Sequence, residues 1–70
     1  MKYTVIIEQG PTSFGASVPD LPGCIAVGNT REEVEQLIRE AIALHLELMR
    51  RDGDPIPPPT TAAIEIDAAA

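Results

Sequence analysis

The segment from Thr30 to Gly53 constrains this chain more than any other part of it. Thr30 can cap a helix while Glu33, three residues on, reaches back to it, and Glu32, Glu33 and Glu35 put negative charge at the positive end of the helix dipole. Apolar residues then recur at helical spacing, Arg50 and Arg51 suit the C-terminal end, and Asp52-Gly53-Asp54-Pro55 stops the pattern with Gly53 as the C-cap residue. The spacing predicts one helix over about residues 30–52. Such a helix is about 30 Å long, whereas strands of five or six residues span about 17–20 Å, so it must overhang its own sheet. Its apolar positions also exceed one stripe. Val34, Leu37, Ala41, Leu44 and Leu48 form one line, and Ile38, Ile42, Leu46 and Met49 form a second, which is the candidate oligomer interface.

Everything else is short and extended. Tyr3, Val5 and Ile7 alternate with Lys2, Thr4, Ile6 and Glu8, the period of a first strand. Gln9-Gly10-Pro11-Thr12 is a turn, and Ser13–Val18 resumes the alternation with Phe14, Ala16 and Val18 on one side. Pro19 and Pro22 fix φ and remove donors while Gly23 permits a conformation other residues resist, so 19–23 is a rigid turn and an obvious place for recognition. Cys24–Val27 is apolar on both faces, as expected of a third strand covered on both sides. After the helix, residues 55–59 make a stiff proline-rich spacer, residues 62–67 alternate again with Ile64 and Ile66 on one face, and Ala68-Ala69-Ala70 has no pattern. The order is β-β-β-α-β in a single α+β domain, residues 1–70, with one long helix packed on one face of a small sheet.

A chain of 70 residues hides only about 60% of the surface its unfolded form exposes, so its core is marginal and self-association, as a homodimer or tetramer, is expected. One cysteine cannot form an internal disulfide, and with one histidine it is no structural zinc set. No signal peptide or membrane-length apolar run is present, which points to a cytoplasmic protein without a membrane partner. The net charge of −6 and pI near 4.4 argue against direct nucleic-acid binding and suit a basic protein partner.

Catalytic groups are not evident. His45 lies in the helical register with no Ser or Cys placed beside it, and Cys24 starts a strand in apolar company with no Lys, Arg or His to lower its pKa. Glu32, Glu33, Glu35, Glu40 and Glu47 read as a solvated helix face rather than a metal site, and no glycine-rich phosphate loop occurs. The expectation is a protein that is not an enzyme and uses neither metal nor cofactor. A vestigial metal-dependent ribonuclease using Glu8, Glu40 and Asp67 with Mg²⁺ is the less favoured reading, and a solitary oligomeric domain binding another protein or a small ligand is a further alternative.

Three strands, the Pro-Asp-Leu-Pro-Gly-Cys turn at 19–24, the Gly-Asn-Thr-Arg-Glu-Glu helix start at 28–33, Glu40-Ala41-Ile42 within a long helix, and Asp54-Pro55-Ile56-Pro57 together resemble the HicB-like antitoxins of toxin–antitoxin systems. The resemblance covers nearly the whole chain. It implies a partial ribonuclease-H-like fold in which the last strand lies beside the first, and a role in neutralising a small basic HicA-like ribonuclease toxin by covering its active surface. It also implies a short form, because the C-terminal DNA-binding domain of typical members does not follow the last strand pattern. On that reading the candidate toxin-binding residues are Asp20, Glu32 and Glu35, which sit near the turn and the first helical turns.

Overall fold

The computed structural model describes residues 1–69, so the final alanine of the patternless end lies outside the described residues. Three short strands, β1 (Ile6–Gln9), β2 (Phe14–Ser17) and β3 (Ile25–Gly28), are followed by one helix, α1 (Arg31–Asp52). The strands form an antiparallel sheet in the order β1-β2-β3, with Ile7 opposite Ala16 and Ala16 opposite Ala26. The first hairpin closes where the Gly10 N–H donates to the Ser13 carbonyl at 2.8 Å.

The helix forms as its sequence dictates. Thr30, in an extended conformation, accepts from the Glu33 N–H through its side chain at 3.1 Å, while Glu33 Oε1 reaches back to the Asn29 N–H at 3.4 Å. At the other end Gly53 adopts the left-handed region, with φ of 75°, and donates its N–H to the carbonyl of Arg50 at 3.2 Å. The helix crosses β2 and β3 on one face of the sheet. Gly28 makes the close approach possible: a Cβ there would lie 2.9 Å from the Val34 nitrogen.

The core comprises Ala16, Val18, Leu21, Cys24, Val34 and Ile38, with Tyr3, Val5, Ile7, Phe14, Ala26, Ala41, Ile42, Leu46 and Met49 packed around it. The alternation in the first two strands therefore predicts the inner face well. Two expectations change. The third strand is covered on one side only, because Ile25 and Val27 are 67% and 64% exposed on the open face of a two-layer structure. The turn at 19–23 forms as expected, with Pro19, Pro22 and Gly23 exposed, but its centre points inward: Leu21 is fully buried, and Leu21 N–H to Val18 carbonyl (3.0 Å) and Cys24 N–H to Leu21 carbonyl (3.0 Å) bonds fold that residue in as a plug.

The fourth strand read at residues 62–67 does not form. Residues 54–69 carry no strand, and Ile64 and Ile66 are 80% and 78% exposed. The physical reason is the want of a neighbour: alternation makes a strand only where one face is buried and the backbone is paired, and within its own chain this segment has neither. The molecule extends 48 Å along its longest axis, beyond the ~33 Å of its 22-residue helix.

Candidate interaction surfaces

The chain after the helix is fastened to the sheet by side chains rather than by a ladder. Asp20, on the loop after β2, is the centre of the fastening. Its Oδ2 accepts from the backbone N–H groups of Thr60 and Thr61, both at 3.1 Å, and its Oδ1 accepts from their hydroxyls at 3.0 and 2.8 Å. These bonds, led by the Thr61 N–H, hold the Asp20 carboxyl below its ordinary pKa. Nearby, the Thr4 hydroxyl donates to the Thr61 carbonyl at 2.8 Å and the Tyr3 hydroxyl to the Pro57 carbonyl, so the chain passes the start of β1 on its way out. The sequence reading singled out Asp20 and missed its partners; two adjacent threonines directly after a proline run were the available signal.

The other two acidic candidates stand apart from this clasp. Glu32 is exposed in the first helical turn, and Glu35 is bound by the Arg31 guanidinium at 3.1 Å, an exposed i,i+4 pair of small energetic worth. The structure thus leaves Glu32 open to solvent, engages Glu35 locally, and uses all four acceptor bonds of Asp20 within the chain.

The residues of the second helical line face inward more than the first. Ile38 is buried, and Ile42, Leu46 and Met49 are half-buried against the core. The large apolar side chains that the helix leaves exposed are Leu37, Leu44 and Leu48, from the first line. The reason is geometric: α1 sits over β2 and β3, so Ile38 and Ile42 face the sheet and β1, and the Leu37–Leu48 row lies along the outer flank. Because β1 lies beyond the helix footprint, a groove of about 210 Å³ opens between them, lined by Val5, Ile7, Ile38 and Ile42 with Glu35 and Arg39. A second hollow of about 150 Å³, lined by Cys24, Ile25, Ala41, Leu44, His45 and Leu48, lies where the loop meets the helix. Burial pushes the Cys24 thiol above its ordinary pKa.

Among the described residues, no three His, Cys, Asp or Glu side chains converge as a metal-binding group, so Glu8, Glu40 and Asp67 do not assemble into one. Likewise, no described helix is long and apolar enough to cross a membrane.

The model of a family described as HicB-like antitoxin of bacterial toxin–antitoxin systems matches residues 3–69. The chain belongs to the HicB-like antitoxin family. Among its relatives, a UPF0150 protein of Thermoplasma acidophilum is 36% identical over 69 residues, covering 97% of this chain and 100% of that protein. Antitoxin HicB 2 of Photorhabdus laumondii is 31% identical over 72 residues, covering 99% of this chain and 52% of its own length. A protein from the rep-hol intergenic region of Haemophilus phage HP1 is 39% identical over 57 residues, covering 81% of this chain and 43% of that one. The chain thus spans about half the length of the last two relatives and the whole of the first. Among solved structures, a chain of a HicA3 and HicB3 toxin–antitoxin complex superposes with a TM-score of 0.72 and 33% identity, over 84% of this chain and 70% of that one.

Proposed function

We propose that this HicB-like chain binds a basic HicA-type ribonuclease toxin and neutralises it by covering its active surface, acting as a binding protein without catalysis of its own. The observation that carries the reading is the likeness, at 33% identity and a TM-score of 0.72, to a chain solved within a HicA3 and HicB3 complex. Physical chemistry agrees with it. A net charge of −6 on 70 residues attracts a basic partner and repels nucleic acid, so the chain competes with RNA for the toxin instead of binding RNA itself. Glu32, exposed at the helix start, is the most available of the acidic candidates, Glu35 supports it, and Asp20 acts by fixing the chain at Thr60 and Thr61.

Co-expression with the product of the neighbouring reading frame tests this. The expected result is a toxic, RNA-cleaving partner whose effect on growth disappears when this chain is supplied and which co-purifies with it. A partner that is not a ribonuclease, or whose toxicity this chain leaves unchanged, overturns the reading. Charge reversal at Glu32 should lower the association rate and its salt dependence while leaving helix content unchanged.

A further inference from the structure

We propose that the exposed leucine flank of α1 receives a basic amphipathic helix of a partner protein, packed along it as a short coiled coil. The flank has the spacing such packing needs. Leu37, Ala41, Leu44 and Leu48 lie four, three and four positions apart, the alternation of a heptad seam, and their span of about 16 Å matches three turns of a second helix. Leu37, Leu44 and Leu48 are 37%, 57% and 43% exposed, while the small, half-buried Ala41 lets a second backbone come close. The 150 Å³ hollow beside Ala41, Leu44 and Leu48 reaches down to Cys24, so a side chain of the incoming helix has an apolar hole to enter. A strand, with its period of two, matches none of this spacing.

The borders of the seam specify the charge of the occupant. On the side away from the sheet, Glu33, Glu40 and Glu47 recur every seven positions, before Arg51 closes the row. Glu33 is engaged at the helix cap, but Glu40 and Glu47 are exposed and make no ion pair among the described residues. The other border, with Ile38 buried and His45 half-buried, is turned under the helix. An apolar seam whose accessible border is acidic selects a helix that carries Lys or Arg beside its own leucines. It also rejects a second copy of this chain. Antiparallel pairing would set glutamate rows against each other, and parallel pairing would set each row against the border that the other copy's sheet already covers.

This flank is a separate surface from the acidic candidates of the toxin reading. At 100° per residue, Glu32 and Glu35 fall about 150° around the helix from the leucines. The proposal therefore does not rest on that reading.

Fluorescence anisotropy with a labelled synthetic peptide of about three heptads, with leucine along its seam and lysine on both borders, tests the proposal. The expected result is saturable one-to-one binding that weakens with salt and is at least roughly tenfold tighter than for the same peptide with glutamate borders or with a central proline. Leu44→Gln should weaken it roughly tenfold with helical circular dichroism unchanged. Glu40→Lys should weaken it several-fold more than Glu32→Lys, although the two change the net charge equally. Binding that survives Leu44→Gln, falls equally with both charge reversals, or is as tight for the glutamate peptide overturns the proposal. So does a peptide-free assembly of the chain that Leu44→Gln dissolves, since a second copy would then be the occupant. The assay contains no toxin, so its failure would leave the antitoxin reading standing, and the reverse also holds.

Discussion

Asp20 and Thr61 lie 41 positions apart in sequence yet share two hydrogen bonds, from the Thr61 N–H at 3.1 Å and its hydroxyl at 2.8 Å. With the matching pair from Thr60, they tie the loop after β2 to the segment after the helix without any strand pairing. Asp20→Ala removes both acceptor oxygens, so the backbone N–H groups and the hydroxyls of Thr60 and Thr61 all lose their partner. The expected outcome is amide exchange at Thr60 and Thr61 faster by roughly tenfold or more, with exchange in α1 unchanged. Unaltered exchange at both threonines would show that the clasp does not hold the segment.

The same clasp sets a pH dependence. Hydrogen bonds to the charged carboxylate lower the pKa of Asp20 in the folded chain from its ordinary 3.8. The group's contribution is therefore complete above that ordinary value and is lost as pH falls through the lowered folded one. Titration followed at the Thr60 and Thr61 amides should show them shift and lose protection below about pH 4, while α1 amides respond later. Release of the segment near neutral pH would contradict this assignment.

Much of this architecture was legible in the residues, and the exceptions have physical causes. The helix bounds follow from Thr30, Glu33 and Gly53 because caps are local chemistry, and Phe14, Ala16 and Val18 share a face because strand alternation is local as well. Leu21 escaped because two flanking prolines mark a turn, and turns are ordinarily superficial; its spacing of three from both Val18 and Cys24 was the hint of an inward loop. Which helical line faces the sheet depends on the helix's lateral position over β2 and β3, a tertiary choice that no periodicity encodes. Residues 62–67 illustrate the same limit, since their alternation matches a strand but supplies no neighbour for the backbone to pair with. Of the three acidic candidates, proximity to the turn singled out Asp20 but gave no sign that it is spent on Thr60 and Thr61.

Gly28→Ala should be costly for its size. The added Cβ would lie 2.9 Å from the nitrogen and 3.1 Å from the Cα of Val34, both backbone atoms of the first helical turn, which cannot swing aside as a side chain could. The helix must lift from β3 or tilt, with a destabilisation of about 1–3 kcal/mol. In a domain of this size each kcal/mol lowers Tm by about 4–8 °C, a shift that calorimetry resolves. A Tm within 2 °C of the parent would mean the contact is slack.

Leu21→Ala and Leu48→Ala separate buried from exposed leucines. Leu21 is fully enclosed by the loop plug, so its truncation should cost about 2–5 kcal/mol, most of the stability such a small core can supply. Leu48 is 43% exposed on the helix flank, and its truncation should change stability by less than about 1 kcal/mol. Urea titration of both variants checks the order, and equal costs would refute the placement of the loop in the core.

Cys24 reports on that same loop from the inside. Its thiol is buried between the plug and the helix, and burial raises its pKa, so both access and thiolate are scarce in the folded chain. Alkylation by iodoacetamide at pH 8 should therefore proceed only through opening of the loop, and should become fast in denaturant. Where opening and closing outpace alkylation, the rate follows the open population, so a variant that weakens the plug by about 1.4 kcal/mol should react roughly tenfold faster. Leu21→Ala should then accelerate labelling far more than Leu48→Ala, with the logarithm of each rate increase in proportion to its cost in urea. Rapid alkylation of the parent chain in native buffer, at the rate of an unfolded peptide, would place Cys24 outside the core.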